Sequence, residues 1–277
     1  MIIDTHTHLD GPEFKDDIQD VVQRAKGVGV SKAFVPAIDL SSIESINNVC
    51  QQFPDFAYPM IGLHPEEVKA NYKEILEKMK ETLLASSKYI AVGEVGLDFY
   101  WSREFEKEQL EAFEEQVKWS IDTRLPLMIH CRKAQNEMVK ILKKYQSQLP
   151  GGVFHCFTGN EKEAAELLSF NNFVLGIGGV LTFKKSNLPE TLKSVSLQRI
   201  VLETDSPYMA PVPLRGKRNE SSFLVHIVAK LAEVYNTTEN EKIKVACFWF
   251  LREYAYSSMF RFNSKGEFNV PYGGKSY

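Results

Sequence analysis

Cysteine is scarce in this chain: four among 277 residues, Cys50, Cys131, Cys156 and Cys247, with no Cys-x-x-Cys pair. That spacing excludes a disulfide framework and a thiolate zinc knuckle, and reads as reduced thiols of a cytoplasmic protein. No run of eighteen apolar residues occurs, which excludes an ordinary membrane-spanning helix. Residues 1–10 lack the basic start and apolar core of a secretory signal. Positive charge is not in excess, because 33 Lys and Arg face 36 Asp and Glu for a net charge of −3. No global field recruits a polyanion, so any nucleic-acid contact has to come from a local patch or from bound cations. A Pro/Gly/Ser-rich linker is also missing. The reading is one domain over residues 1–258 with a tail over 259–277, a monomer without membrane contact or obligate protein partner.

What the chain does have is alternation. Its 44% hydrophobic and 25% charged residues are those of a soluble globular protein with a sizeable core. Apolar runs at 2–8, 32–38, 57–63, 89–96, 125–131, 152–157, 172–178 and 199–205 read as eight strands, separated by amphipathic segments. In the clearest of these, 104–123, Phe105, Leu110, Phe113, Val117 and Ile121 recur at helical spacing. Residues 219–235 and 240–257 read as closing helices. Fully apolar strands alternating with helices call for a parallel sheet covered on both faces. Eight such units fit an α/β fold of the closed (β/α)8 TIM-barrel type with extra C-terminal helices, and a doubly wound open sheet is the competing arrangement.

The first strand ends oddly for a buried run. Ile2 and Ile3 lead into Asp4, His6 and His8, which share one face because strand side chains alternate. Five of the six histidines fall at predicted strand ends, namely His6, His8, His64, His130 and His155, and Glu94 and Asp205 occupy matching positions. Barrel active sites lie at those ends. Burying so many donors without a cation costs several kcal/mol, so His6, His8, Glu94, His130, His155 and Asp205 are expected to form a metal site. Six donors exceed the needs of one tetrahedral ion, and a central carboxylate can bridge two ions about 3.5–4 Å apart. Glu94 is the candidate bridge. His6, His8 and Asp205 are assigned to one ion, and His130 with His155 to the other. Asp4 and Glu203 lie deeper on the same face and read as residues that orient the ligands. Asp98, after Gly96, reads as a loop cap, with a ligand role as the lesser alternative. His226 reads as a surface residue, and Cys131 and Cys156 as side chains turned outward against helices.

The motifs "DTHTHLD" at 4–10, "IGLHPEE" at 61–67, "VGEVGLDFY" at 92–100, "LPLMIHCRKA" at 125–134, "GVFHCFTGN" at 152–160 and "VLETDSPYMAPVPLRGKRNE" at 201–220 together resemble the TatD metal-dependent deoxyribonucleases, of the amidohydrolase-like barrel superfamily. They cover roughly residues 2–235 in family order. The resemblance implies that the six donors named above are metal ligands with Glu94 shared, and that Asp205 also orients or deprotonates the attacking water. It implies that His64 is an active-site histidine facing the substrate phosphate, and that magnesium supports activity. Lys133 departs from the family, which usually carries an acid there. So do Ser221, in place of a proline, and the last helix, "VACFWFLREYAYSSMF", which lacks an expected asparagine.

The expected chemistry is hydrolysis of DNA phosphodiester bonds by cation-activated water, as a 3′-5′ exonuclease on single-stranded or frayed ends, with Asp205, Glu94 and His64 catalytic. Two divalent cations per subunit are expected. Imidazole-rich ligation also suits Zn2+, Mn2+ or Ni2+. Tyr100, Arg132, Phe183 and Arg215, with His64, are the candidate substrate-binding residues, because aromatics stack bases while cations meet phosphates. Lys217 and Arg218 extend the same cationic loop. The competing reading is an amidohydrolase-type enzyme acting on a small lactone, phosphoester or amide. Such two-metal enzymes often bridge their ions with a carboxylated lysine, and no lysine ends a predicted strand near Glu94.

Overall fold

A strand that is apolar on both faces has to be covered on both, and the eight runs achieve this in chain order. The computed structural model describes residues 2–236 and the backbone at 261–262 and 268–269. Its parallel strands are β1 (Ile2–Asp4), β2 (Val30–Pro36), β3 (Ala57–Met60), β4 (Val92–Asp98), β5 (Leu127–Arg132), β6 (Gly152–Phe154), β7 (Phe173–Ile177) and β8 (Ile200–Leu202). Between and after them lie α1 (Ile18–Gly27), α2 (Ser42–Gln52), α3 (Tyr72–Leu84), α4 (Glu106–Thr123), α5 (Gln135–Lys144), α6 (Glu161–Leu167), α7 (Leu188–Leu192) and α8 (Leu224–Tyr235). The short pairs β9 (Arg261–Phe262) and β10 (Phe268–Asn269) run antiparallel.

Continuous pairing gives β1-β2-β3 and β4-β5-β6-β7-β8, and main-chain bonds join these two sets on both sides. Ile61 N–H donates to Ala91 O at 3.2 Å and Gly93 N–H to Ile61 O at 2.9 Å. Across the other seam, Thr5 N–H donates to Leu202 O at 3.0 Å, Asp205 N–H to His6 O at 2.9 Å and His8 N–H to Ser206 O at 2.8 Å. The sheet is therefore a closed (β/α)8 barrel and not an open doubly wound sheet. One buried apolar residue per stave fills its interior: Ile3, Phe34, Met60, Ala91 just ahead of β4, Met128, Val153, Val174 and Val201. Opposite-parity residues form a larger core under the helices, to which α4 contributes Phe113, Val117 and Trp119 and α8 contributes Leu224, Ile227 and Leu231. Each such side chain adds about 1.5–3 kcal/mol when fully buried.

Helix limits follow local chemistry. The helix expected over 104–123 ends on Arg124, which takes left-handed φ 56°. The segment 219–235 begins as a 3-10 turn at Ser221–Phe223 before α8. A capping box starts α6: Asn160 Oδ1 accepts from the Lys162 and Glu163 amides, and Glu163 accepts from the Asn160 amide. Several strands are shorter than expected at their carboxyl ends. There Cys156 (φ 48°) and Asp205 (φ 54°) turn the chain through the left-handed region, so extended pairing stops just before the polar residues. The helix expected over 240–257 lies outside the described residues, as does most of the tail. Among the described residues no helix is long and apolar enough to cross a membrane.

Candidate metal centre

Glu94 is the hub of the barrel mouth. It sits on β4 with only 3% of its side chain exposed, and imidazoles from five positions surround its carboxylate. Oε2 lies 3.1 Å from His6 Nε2 and 3.8 Å from His8 Nε2. Oε1 lies 2.9 Å from His155 Nε2, 3.1 Å from His130 Nδ1 and 3.3 Å from His64 Nε2. Asp205 Oδ1 joins from the seam, 3.6 Å from His8 Nε2 and 3.8 Å from His6 Nε2. The sequence thus delivers its predicted donors to one place. Their grouping is finer than expected, because His155 stacks on His6 (ring centroids 4.1 Å) and His64 joins His130. Four overlapping sets emerge among the described residues, each with donor atoms within 4.8 Å of one another: His6–His8–Asp205, His6–Glu94–His155, His64–Glu94–His130 and, at the edge, Glu66–Asp98–His130.

The electrostatics divide the histidines. Burial, with His155 beside it, pushes His6 down to about 4. Burial opposes charge on His8 and His130 as well, but Asp205 and Glu94 outweigh it at His8, and Asp98 and Glu94 at His130, lifting both to about 9. Burial also works against ionised Glu94 and Asp205, yet the surrounding imidazoles prevail and hold both carboxyls below their ordinary range. Two contacts fit a cation. His6 Nε2 faces His8 Nε2 at 3.4 Å, and His155 Nε2 faces His130 Nδ1 at 3.4 Å. A ring N–H of His8 or His130 can bridge each contact, and once those protons leave a cation between the nitrogens satisfies both lone pairs. The nitrogen and oxygen donor set suits borderline divalent ions.

Deeper residues hold these groups. Asp4, fully buried, accepts from Thr204 N–H (2.9 Å), Thr204 Oγ1 (2.6 Å) and Ser221 Oγ (2.6 Å), which locks β1 to the loop after β8. Burial raises its carboxyl to about 6. Glu203 accepts the Cys156 amide and lies 3.8 Å from His155 Nδ1, and burial pushes it up to about 8. Around the rim, the Arg132 guanidinium stacks on Tyr100 (3.7 Å) and approaches Trp101 (5.1 Å), and Arg215 stacks on Phe183 (3.7 Å). Tyr208 stands exposed with its ring 6.1 Å from that of His8.

Over residues 3–249 the sequence matches the family profile described as TatD related DNase. The chain belongs to the TatD family. Among similar proteins, the uncharacterized metal-dependent hydrolase YabD of Bacillus subtilis is 36% identical over 242 residues, covering 87% of this chain and 94% of that one. A 3′-5′ ssDNA/RNA exonuclease TatD of Edwardsiella piscicida is 32% identical over 237 residues, covering 83% and 90%. The crystal structure of YJJV, a TatD homolog of Escherichia coli K12, aligns with TM-score 0.84 at 28% identity over 90% of this chain and 96% of that one. An organophosphorus hydrolase at 11% identity and TM-score 0.61 shares the fold alone. The chain is a TatD-family metal-dependent hydrolase.

Three expectations for this TatD chain need correction. Asp98 is more than a loop cap: Oδ1 accepts from Tyr100 N–H at 2.8 Å, and Oδ2 lies 2.9 Å from His130 Nε2. Period two along β4 puts Glu94, Gly96 and Asp98 on one face, a signal present in the sequence. Cys156 does not point outward by strand alternation, because β6 has already ended and the residue lines a cleft beside His155. Arg218 is committed to Asp17, at 2.8 and 2.7 Å, and so is withdrawn from the rim. Tyr208 went unnoticed in the sequence, having only its place three residues after Asp205 to mark it. Cys131 packs against the core under the helices, as expected, and His226 is half-buried beside Phe223.

Proposed function

We propose that this hydrolase cleaves phosphodiester bonds of DNA, shortening single-stranded or frayed ends from the 3′ side. The observation that carries the reading is the convergence of five imidazoles and two carboxylates on the barrel mouth. The two guanidinium–aromatic stacks beside it and the exonuclease names of several relatives support it. His6, His8, Glu94, His130, His155 and Asp205 would hold two divalent cations, with Mg2+ serving activity and Zn2+, Mn2+ or Ni2+ also suiting the imidazoles. Bound there, such cations acidify water and neutralise charge on a phosphate.

The side chains supply the rest. Asp205 is ionised and 17% exposed at its side chain, so it can take a proton from the attacking water. Glu94, central and ionised, fixes the spacing of both donor groups. His64 Nδ1 accepts from Glu66 N–H at 3.2 Å. With Nδ1 accepting, the ring's N–H is on Nε2, toward the centre, where it can donate to a phosphate oxygen. Tyr100 and Phe183 offer faces for bases, while Arg132 and Arg215 meet phosphates. Free thiols at Cys50, Cys131 and Cys156 support a cytoplasmic setting, where the enzyme acts as a monomer.

A metal-supplemented assay on a single strand labelled at its 5′ end tests the reading. The expected result is a ladder of progressively shorter labelled products. An intact strand, together with turnover of lactones or other small esters, would replace it with the small-molecule reading.

A further inference from the structure

We propose that the cleft leading away from His155, between the loops that follow β5 and β6, is a groove for the nucleic-acid backbone. In it Lys133 and Lys162 hold phosphates adjacent to the scissile one. The inference rests on the phosphodiester reading and extends it from the reacting bond to the strand.

The cleft has a volume of about 1040 Å3, at the upper end of the roughly 300–1,000 Å3 of small-molecule pockets. His155, Cys156, Arg132 and, on α6, Lys162 all line it. A single small ester needs only the centre, whereas a strand has to continue somewhere, and every added nucleotide brings one negative charge. The walls carry Arg103, Arg132, Lys133 and Lys162 against Glu137, Glu163 and Glu166. Two of those acids are already engaged: Glu163 accepts the Asn160 amide in the cap of α6, and Glu166 accepts from Gln135 Nε2 at 3.0 Å and lies 3.8 Å from Lys143. Arg103 is paired with Glu106 at 2.9 Å. Lys133 and Lys162 are exposed, and no ion pair to either occurs among the described residues.

Lys133 also takes φ 57°, a left-handed conformation uncommon for a residue with a Cβ. Such conformations concentrate at sites where the backbone serves a ligand. Arg132, stacked on Tyr100, stands where centre and cleft meet. A strand whose terminal phosphodiester lies at the centre therefore finds a base platform and two free ammonium groups along the cleft. Those contacts favour a polynucleotide over a mononucleotide or a neutral ester.

The test compares wild type with the double variant K133E/K162E, using K118E/K140E as a control of equal charge change on α4 and α5 away from the cleft. Fluorescence anisotropy with a labelled twelve-nucleotide single strand, in chelator, reads binding without turnover. For K133E/K162E the dissociation constant is expected to rise about tenfold, and the slope of log affinity against log salt to flatten by about 1.4, or about 0.7 for each lost phosphate contact on a single strand. With metal restored, KM for the twelve-nucleotide strand rises while KM for a dinucleotide stays within about twofold. Binding and salt slope equal to those of K118E/K140E would overturn the groove even if the enzyme cleaves DNA. If wild type cleaves no phosphodiester yet K133E/K162E still loses binding, the groove stands and the catalytic reading falls.

Discussion

Asp98 has two carboxylate oxygens pointed at different tasks. One accepts from the amide of Tyr100, at the start of the aromatic rim, and the other faces Nε2 of His130. A carboxylate on the far nitrogen of a metal-binding imidazole fixes its tautomer and orientation, here leaving Nδ1 for the centre. Asp98→Asn keeps an acceptor for Tyr100 but presents an amide donor to His130. Zinc affinity, measured by chelator competition, is expected to fall about 10–100-fold, with KM for an oligonucleotide unchanged. The paired histidines give a second expectation. His8 and His130 both sit at about 9 in the cation-free site and must lose protons to ligate. Cation affinity should therefore rise between pH 7 and 9, by up to about 100-fold per pH unit if two protons leave, and level off above. A flat zinc dissociation constant over that range would contradict it. At this scale the donors were readable, because His, Glu and Asp at buried strand ends violate the apolar pattern. Lys162 was not, since its stretch suits an ordinary helix cap, and for Asp98 the period-two spacing from Glu94 was outweighed by its place after Gly96.

The strands position the centre, and β4 does so with unusual closeness to β5. Gly96 takes φ +144°, and a Cβ placed on it would lie 1.9 Å from the His130 carbonyl oxygen. Gly96→Ala is therefore strained in backbone and in space together, on the strand pair that aligns Glu94 and His130. A loss of about 3 kcal/mol or more is expected from the urea midpoint, with weaker zinc binding in whatever protein folds. Element existence was legible because buried parallel strands are apolar on both faces. Their carboxyl limits were not, since His155, Cys156 and Asp205 continue the chain past the last ladder bond and only the backbone reveals the turn. The loop after β8 shows a related effect. Its "RGKRNE" charge looks like a cationic patch, but Arg24–Glu220 and Arg218–Asp17 bonds spend part of it on anchoring that loop to α1.

At the scale of the molecule, the eight interior residues at one level of the barrel act as a single plug. Met128 is 1% exposed within it, and its neighbours belong to other strands, so little can collapse into the gap it leaves. Met128→Ala is expected to lower unfolding free energy by about 2–5 kcal/mol, read as a shift of the urea midpoint at constant slope. The count of eight β/α units favoured the closed barrel over the open sheet, but closure itself shows only in main-chain bonds at two seams, one of them between residues about two hundred positions apart. That same seam orders events in time. Six of the seven groups at the mouth precede β8, and Asp205 reaches its place only when the eighth stave docks against the first. A polypeptide still emerging from the ribosome, or one whose synthesis stops early, therefore carries the imidazoles and Glu94 without Asp205, and its donor set stays incomplete until the last stave is in place.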